Sequence, residues 1–98
     1  MLGVAVVQGP SMVPTYYDGD RLLVRYGARV RAGDVVLARD PRMPERILVK
    51  RAERREPGGW WLLADNPYAP GDSRQFGAVP DELVIARVLL RYRKAKRN

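Results

Sequence analysis

Apolar positions fall in short runs, separated at close intervals by glycine, proline and aspartate. The turn signals are Asp18-Gly19-Asp20, Gly27, Ala32-Gly33-Asp34, Pro57-Gly58-Gly59 and Pro70-Gly71-Asp72. Between them, segments rich in Val, Leu, Ile and aromatic residues predict strands at Val4–Gln8, Arg21–Tyr26, Asp34–Asp40, Arg46–Glu53, Trp60–Ala64 and Leu83–Tyr92. Two stretches compete as helix. Pro14–Tyr17 suits one helical turn, whereas Asp81–Leu90 opens on acidic residues but carries Val and Ile behind Pro80, which favours strand. The result is a mainly β chain without internal repeats or low-complexity tracts.

A length of 98 residues sets one small core, and the pattern places a single domain over 1–92. Residues 93–98 form a basic tail with little to bury, expected to fray. The longest apolar runs, Val4–Val7 and Ile47–Val49, fall far short of the roughly 20 residues of a membrane helix. Met1–Val7 also lacks the charged and apolar regions of a signal peptide. The expected location is cytoplasmic, with peripheral or anchored membrane association as the alternative.

Composition narrows the chemistry more than the fold. The chain has neither His nor Cys, which excludes a Ser-His-Asp triad, a thiolate nucleophile, disulfides and a Cys/His zinc site. No metal or other cofactor is expected. A hydroxyl nucleophile would then need a nitrogen or carboxylate base. Hydroxyls are few: Ser11, Ser73 and Thr15. Lysines number three, and Lys94 and Lys96 sit in the tail, leaving Lys50 alone within the folded region.

Lys50 stands out because the chain otherwise uses Arg, which cannot give up its proton. Strand alternation groups it with Leu48 and Ala52, opposite Ile47, Val49 and Arg51, so its amine lies between apolar neighbours. Burial there lowers a lysine pKa toward a working base. The plainer reading is a solubilising lysine snorkelling from a strand edge. Ser11 lies in Gly9-Pro10-Ser11-Met12-Val13-Pro14-Thr15, where glycine and two prolines fix the backbone that presents the hydroxyl. An ordinary turn is its plainer reading. A third cluster, Asp65-Asn66-Pro67 and Gly71-Asp72-Ser73-Arg74-Gln75-Phe76-Gly77, reads as an Ω-type loop with an Asp72–Arg74 pair.

Taken in order, Gly9-Pro10-Ser11-Met12-Val13-Pro14-Thr15, Lys50-Arg51-Ala52 and Asp72-Ser73-Arg74 followed by Phe76-Gly77 and Val79-Pro80 resemble the signal peptidase I family of Ser/Lys serine proteases. Arg21–Gly27 and the stretch from Lys50 to Trp61 most resemble its nickel-type superoxide dismutase maturation proteases. The resemblance implies coiled β-sheets forming a small barrel-like catalytic domain of the signal-peptidase and self-cleaving-repressor type. It implies that Ser11 attacks the scissile carbonyl, that neutral Lys50 takes its proton, and that the Ser11 backbone N–H stabilises the oxyanion. Gly9, Pro10, Met12 and Pro14 then shape the nucleophile turn, and Arg51, Asp72, Ser73 and Arg74 support the site. The implied partner is a protein precursor bound as an extended peptide along Val7, Gln8, Leu48 and Val49. Its N-terminal propeptide would be removed, with a nickel superoxide dismutase precursor as the expected substrate and a secretory signal peptide as the alternative.

Two positions depart from the family pattern. Gly9 stands where many members carry a serine that donates to the oxyanion, and Pro70 where a serine often orients the lysine. From another class, the net charge of +7 with Tyr16, Tyr17, Trp60, Trp61 and Phe76 would suit a small β-barrel stacking single-stranded nucleic acid. Under the protease reading no nucleic acid is required.

Overall fold

In the computed structural model, which describes residues 1–96, six strands form one antiparallel sheet. They are β1 (Leu2–Val6), β2 (Arg21–Tyr26), β3 (Val35–Asp40), β4 (Met43–Glu56), β5 (Gly59–Leu63) and β6 (Val84–Arg93), in the spatial order β1-β2-β6-β3-β4-β5. One helical turn, α1 (Ser73–Phe76), and a short 3-10 turn at Asp81–Leu83 interrupt the return from β5 to β6.

The central strand explains the arrangement. Five of the six residues of β3 are buried, Arg39 being exposed, because apolar side chains on both faces have a core to enter. Val36 and Ala38 join Ala52, Trp60, Leu62 and Val79 on one side, while Leu37 joins Val7, Leu22, Val24 and Ala86 on the other. Burying each such valine or leucine side chain contributes about 1.5–3 kcal/mol. In a flat sheet, β1 and β4 would lie four strand spacings apart, about 19 Å. Residues of both nonetheless line one cleft, so the sheet coils on itself, as the barrel-like expectation required.

Strand limits differ from the sequence reading where turns intervene. The first strand ends at Val6, although Val7 still bonds across to Asp20 and Gly19. The fourth runs from Met43 to Glu56, beyond both predicted ends, because it pairs with β3 and then, from Arg51 onward, with β5. Its first half has no partner on the β5 side. Pro44 lies there, where a missing N–H costs no ladder bond. The acidic start of the Asp81–Leu90 segment forms only the 3-10 turn, and strand follows from Val84. Pro14–Tyr17 does close a turn, with the Tyr16 N–H bonding the Met12 carbonyl at 2.8 Å.

Three expectations need correcting. Ser73–Phe76 is helical rather than loop, because Asp72 caps its first turn. Trp60 is 7% exposed and forms part of the core, which removes it from any stacking platform. The tail from Arg93 is no frayed end through Ala95: Arg93 belongs to β6, and the Ala95 N–H donates to Asp20 at 2.8 Å. Residues 97 and 98 lie outside the described residues. No helix among the described residues is long and apolar enough to cross a membrane.

Candidate active site

A cleft of about 660 Å³ runs between β1 and the unpaired half of β4. Ala5, Val7, Leu37, Val49 and Ile85 give it an apolar lining, and both Ser11 and Lys50 open onto it. Thirty-nine residues of sequence separate that pair. The coil of the sheet unites them by bringing the turn that follows β1 up to β4.

Ser11 sits in a turn fastened at several points. Gly9 has φ +79, a conformation that glycine adopts without strain, and its N–H donates to Asp18 Oδ1 at 2.8 Å. Met12 is fully buried and plugs the turn into the domain. From the other flank, the Asn66 N–H donates to the Ser11 carbonyl at 2.9 Å, and the Asn66 side-chain amide to the Pro10 carbonyl at 3.2 Å. Thr15 Oγ1 donates to Asp65 at 2.5 Å. Arg51 grips the same carboxylate at 3.1 and 2.6 Å and donates to the Gly33 carbonyl at 2.9 Å. Because Arg51 follows Lys50 in β4, one ion pair ties the Ser11 turn to the strand carrying Lys50. The Ser11 N–H has no acceptor among the described residues.

Lys50 is 4% exposed, on the face of β4 that also buries Ala52. Burial lowers its pKa below the ordinary lysine value, against the opposing fields of the Asp72 and Asp40 carboxylates. No hydrogen bond or ion pair fixes its amine among the described residues. Asp40, itself buried, is occupied at the β3–β4 turn by Arg42, whose side-chain hydrogen bonds hold the carboxyl below its usual range.

Asp72, Ser73 and Arg74 form the third group. Burial alone would raise the Asp72 pKa, but bonds from Arg74 and the Ala64 N–H at 2.9 Å outweigh it and keep the carboxylate ionised. Arg74 reaches on to the Pro67 and Ala69 carbonyls, each at 3.0 Å. The Ser73 hydroxyl accepts the Leu62 N–H at 2.8 Å. These bonds hold the 65–71 loop, including the Asn66 that touches Ser11, against β5. They give Ser73 a task at β5.

Of the four residues expected to pair with an extended peptide, two have backbones already engaged. Val7 donates to the Asp20 carbonyl and accepts from Gly19. Ala52 makes the corresponding bonds to the β2–β3 loop, so alternation turns Leu48 toward β3 and Val49 toward the open side. By the same rule Gln8 and Val6 face outward from β1. The anchoring roles of Thr15, Asp65 and Asn66 escaped the sequence reading, for Asp-Asn-Pro signals a turn without naming what it grips.

Residues 1–87 match the Peptidase S24-like family. The mitochondrial ATP-independent inner membrane protease subunit 1a of Arabidopsis thaliana is 37% identical, over 87% of this chain and 67% of that protein. Mitochondrial inner membrane protease subunit 1 of Xenopus tropicalis is 31% identical over 90% and 67%, respectively. Subunit 2 of the Schizosaccharomyces pombe enzyme is 29% identical over 91% and 63%. The chain therefore spans about two thirds of the length of these curated relatives.

Proposed function

The chain belongs to the Peptidase S24-like family, and from that premise we propose that it is a serine endopeptidase working through a Ser11/Lys50 dyad. The observation that carries the reading is the opening of both side chains onto one cleft, with the lysine desolvated and unpaired. Ser11 Oγ attacks the scissile carbonyl while the neutral Lys50 amine takes its proton. The resulting ammonium then protonates the leaving amine, and Lys50 activates the water that frees the acyl-enzyme. The unengaged Ser11 N–H is the oxyanion donor. With Gly9 in place of a serine, no side chain from that position joins it.

The substrate is an extended segment of a protein precursor, added as a strand between the open edges of β1 and β4. Val6, Gln8, Ile47 and Val49 present the pairing groups; Val7 and Leu48 contribute side chains and support. Removal of an N-terminal propeptide from a nickel superoxide dismutase precursor rests on the local resemblance of Arg21–Gly27 and Lys50–Trp61. The curated relatives, named as inner membrane protease subunits, favour instead a precursor presented at a membrane.

Wild type, Ser11→Ala and Lys50→Arg, each incubated with a nickel superoxide dismutase precursor and separately with a signal-peptide-bearing precursor, test the reading by mass spectrometry of new N-termini. Discrete cleavage by wild type alone is expected, and the precursor cut identifies the substrate class. Cleavage by all three proteins would overturn the dyad, as would appreciable turnover by Lys50→Arg, whose guanidinium cannot serve as a base.

A further inference from the structure

The Ser11 turn has a second anchor, on the side away from Asp65 and built from the far end of the chain. Asp20 is fully buried where the turn's outgoing limb enters β2. Its carboxylate accepts the Tyr17 N–H at 2.9 Å, Arg91 Nη1 at 3.1 Å and the Ala95 N–H at 2.8 Å. Arg91 also donates to the Thr15 carbonyl at 3.4 Å and lies over the Tyr16 ring at 5.9 Å. Ala95 packs so closely that a Cβ placed on Gly19 would stand 2.9 Å from its own. Thr15, Tyr16 and Tyr17 thus all meet the C-terminal arm, either directly or through one carboxylate.

We propose that Asp20 and Arg91 are positioning residues for the nucleophile, and that the docked arm through Ala95 is part of the active-site scaffold. The Asn66 and Asp65 contacts fix the turn from the β5 side; Asp20 and Arg91 fix it from the β6 side. With one side released, the turn pivots about the other and Ser11 Oγ drifts from Lys50. A displacement of this kind lowers kcat and leaves substrate binding along β1 and β4 intact. The catalytic consequence rests on the Ser/Lys reading, whereas the hold on the turn does not.

The test uses the full chain with three substitutions: Arg91→Lys, Ala95→Pro and, as control, Ala95→Gly. Proline deletes the amide that Asp20 accepts, and glycine keeps it. Hydrogen exchange at the Tyr16 and Tyr17 amides should quicken about tenfold or more in Arg91→Lys and Ala95→Pro, while β3 amides keep wild-type protection. In the same two variants kcat should fall about tenfold with KM unchanged, assayed well below their unfolding midpoints, and Ala95→Gly should match wild type. Unchanged exchange at the turn, or faster exchange without loss of kcat, would overturn the proposal. Should wild type itself cleave neither precursor, the peptidase reading fails, while the exchange result still decides whether the arm holds the turn.

Discussion

Ser11 and Lys50 open onto the same cleft, yet opposite surroundings place them. The Ser11 turn is fastened by Asp18, Asp65 and Asn66 on its flanks and by Asp20 through Tyr17. Lys50 is held only by the strand ladder and by burial, its amine meeting no carboxylate at ion-pair distance among the described residues. The difference follows from the two tasks. A nucleophile must be in the right place, which hydrogen bonds achieve. A base must release its proton, and a carboxylate bonded to the ammonium would hold that proton on. Positioning thus comes from dense polar contact, and tuning comes from its absence.

The sharpest way to break this comparison is Lys50→Met. Loss of the base should lower kcat about a thousandfold. Relief of a buried cation should raise stability at neutral pH by about 1 kcal/mol, read by denaturant titration. The sign follows from linkage. The folded lysine pKa lies below the unfolded 10.5, so the unfolded chain binds more protons between those values, and wild-type stability rises with pH across that window. The variant's advantage should fade as pH approaches the upper end; a variant no more stable than wild type would undo the account of Lys50 as desolvated.

Asp72→Ala probes both regions at once. It strips partners from the Ala64 and Arg74 amides and should cost about 3 kcal/mol in thermal or denaturant unfolding. Because the Asp72 field holds the lysine proton on, its removal should also shift the acidic limb of the kcat/KM profile to lower pH. A limb that moves upward would mean that Asp72 acts on Lys50 through packing instead of charge.

In wild type, activity should rise with pH through the lowered Lys50 pKa. The polar side gives the complementary signature. Asp40, Asp65 and Asp72 are all held below 3.8, so their contribution to stability is present above that pH and is lost as pH falls through their folded values. Acid unfolding followed by circular dichroism should therefore begin below about pH 4, while activity declines at higher pH. The smallest effect is expected at Gly9→Ala. No atom crowds the new methyl, but φ +79 strains it, costing about 1 kcal/mol and leaving kcat within about threefold.

Much of the β framework was legible because alternation and turn residues are local signals. Arg21–Tyr26 matches β2 at both ends, and Leu83–Tyr92 lies within one residue of β6 at each end. The first strand was read two residues late because Val7, though outside β1, keeps ladder-like bonds to Asp20 and Gly19. The helical turn at Ser73 was missed because a single turn has no periodicity to detect; its Asp72 cap was the one available sign. The arm at Ala95 was read as free because nothing in Arg-Lys-Ala-Lys announces a buried carboxylate 75 residues away.

The sequence by itself determined which chemistries were open. Without His or Cys, and with one lysine inside the fold, it left a few hydroxyls, Lys50 and the carboxylates as candidates, for residue identity sets which groups can carry or release a proton, and the resemblance of the motifs paired Ser11 with Lys50. Tertiary structure alone decided that the two share a cleft, that Lys50 is buried without an ion-pair partner among the described residues, and that Asp20, Asp65 and Asn66 grip the turn. Distance, burial and partner all depend on how a coiled sheet closes, and closure is set by contacts between strands far apart along the chain.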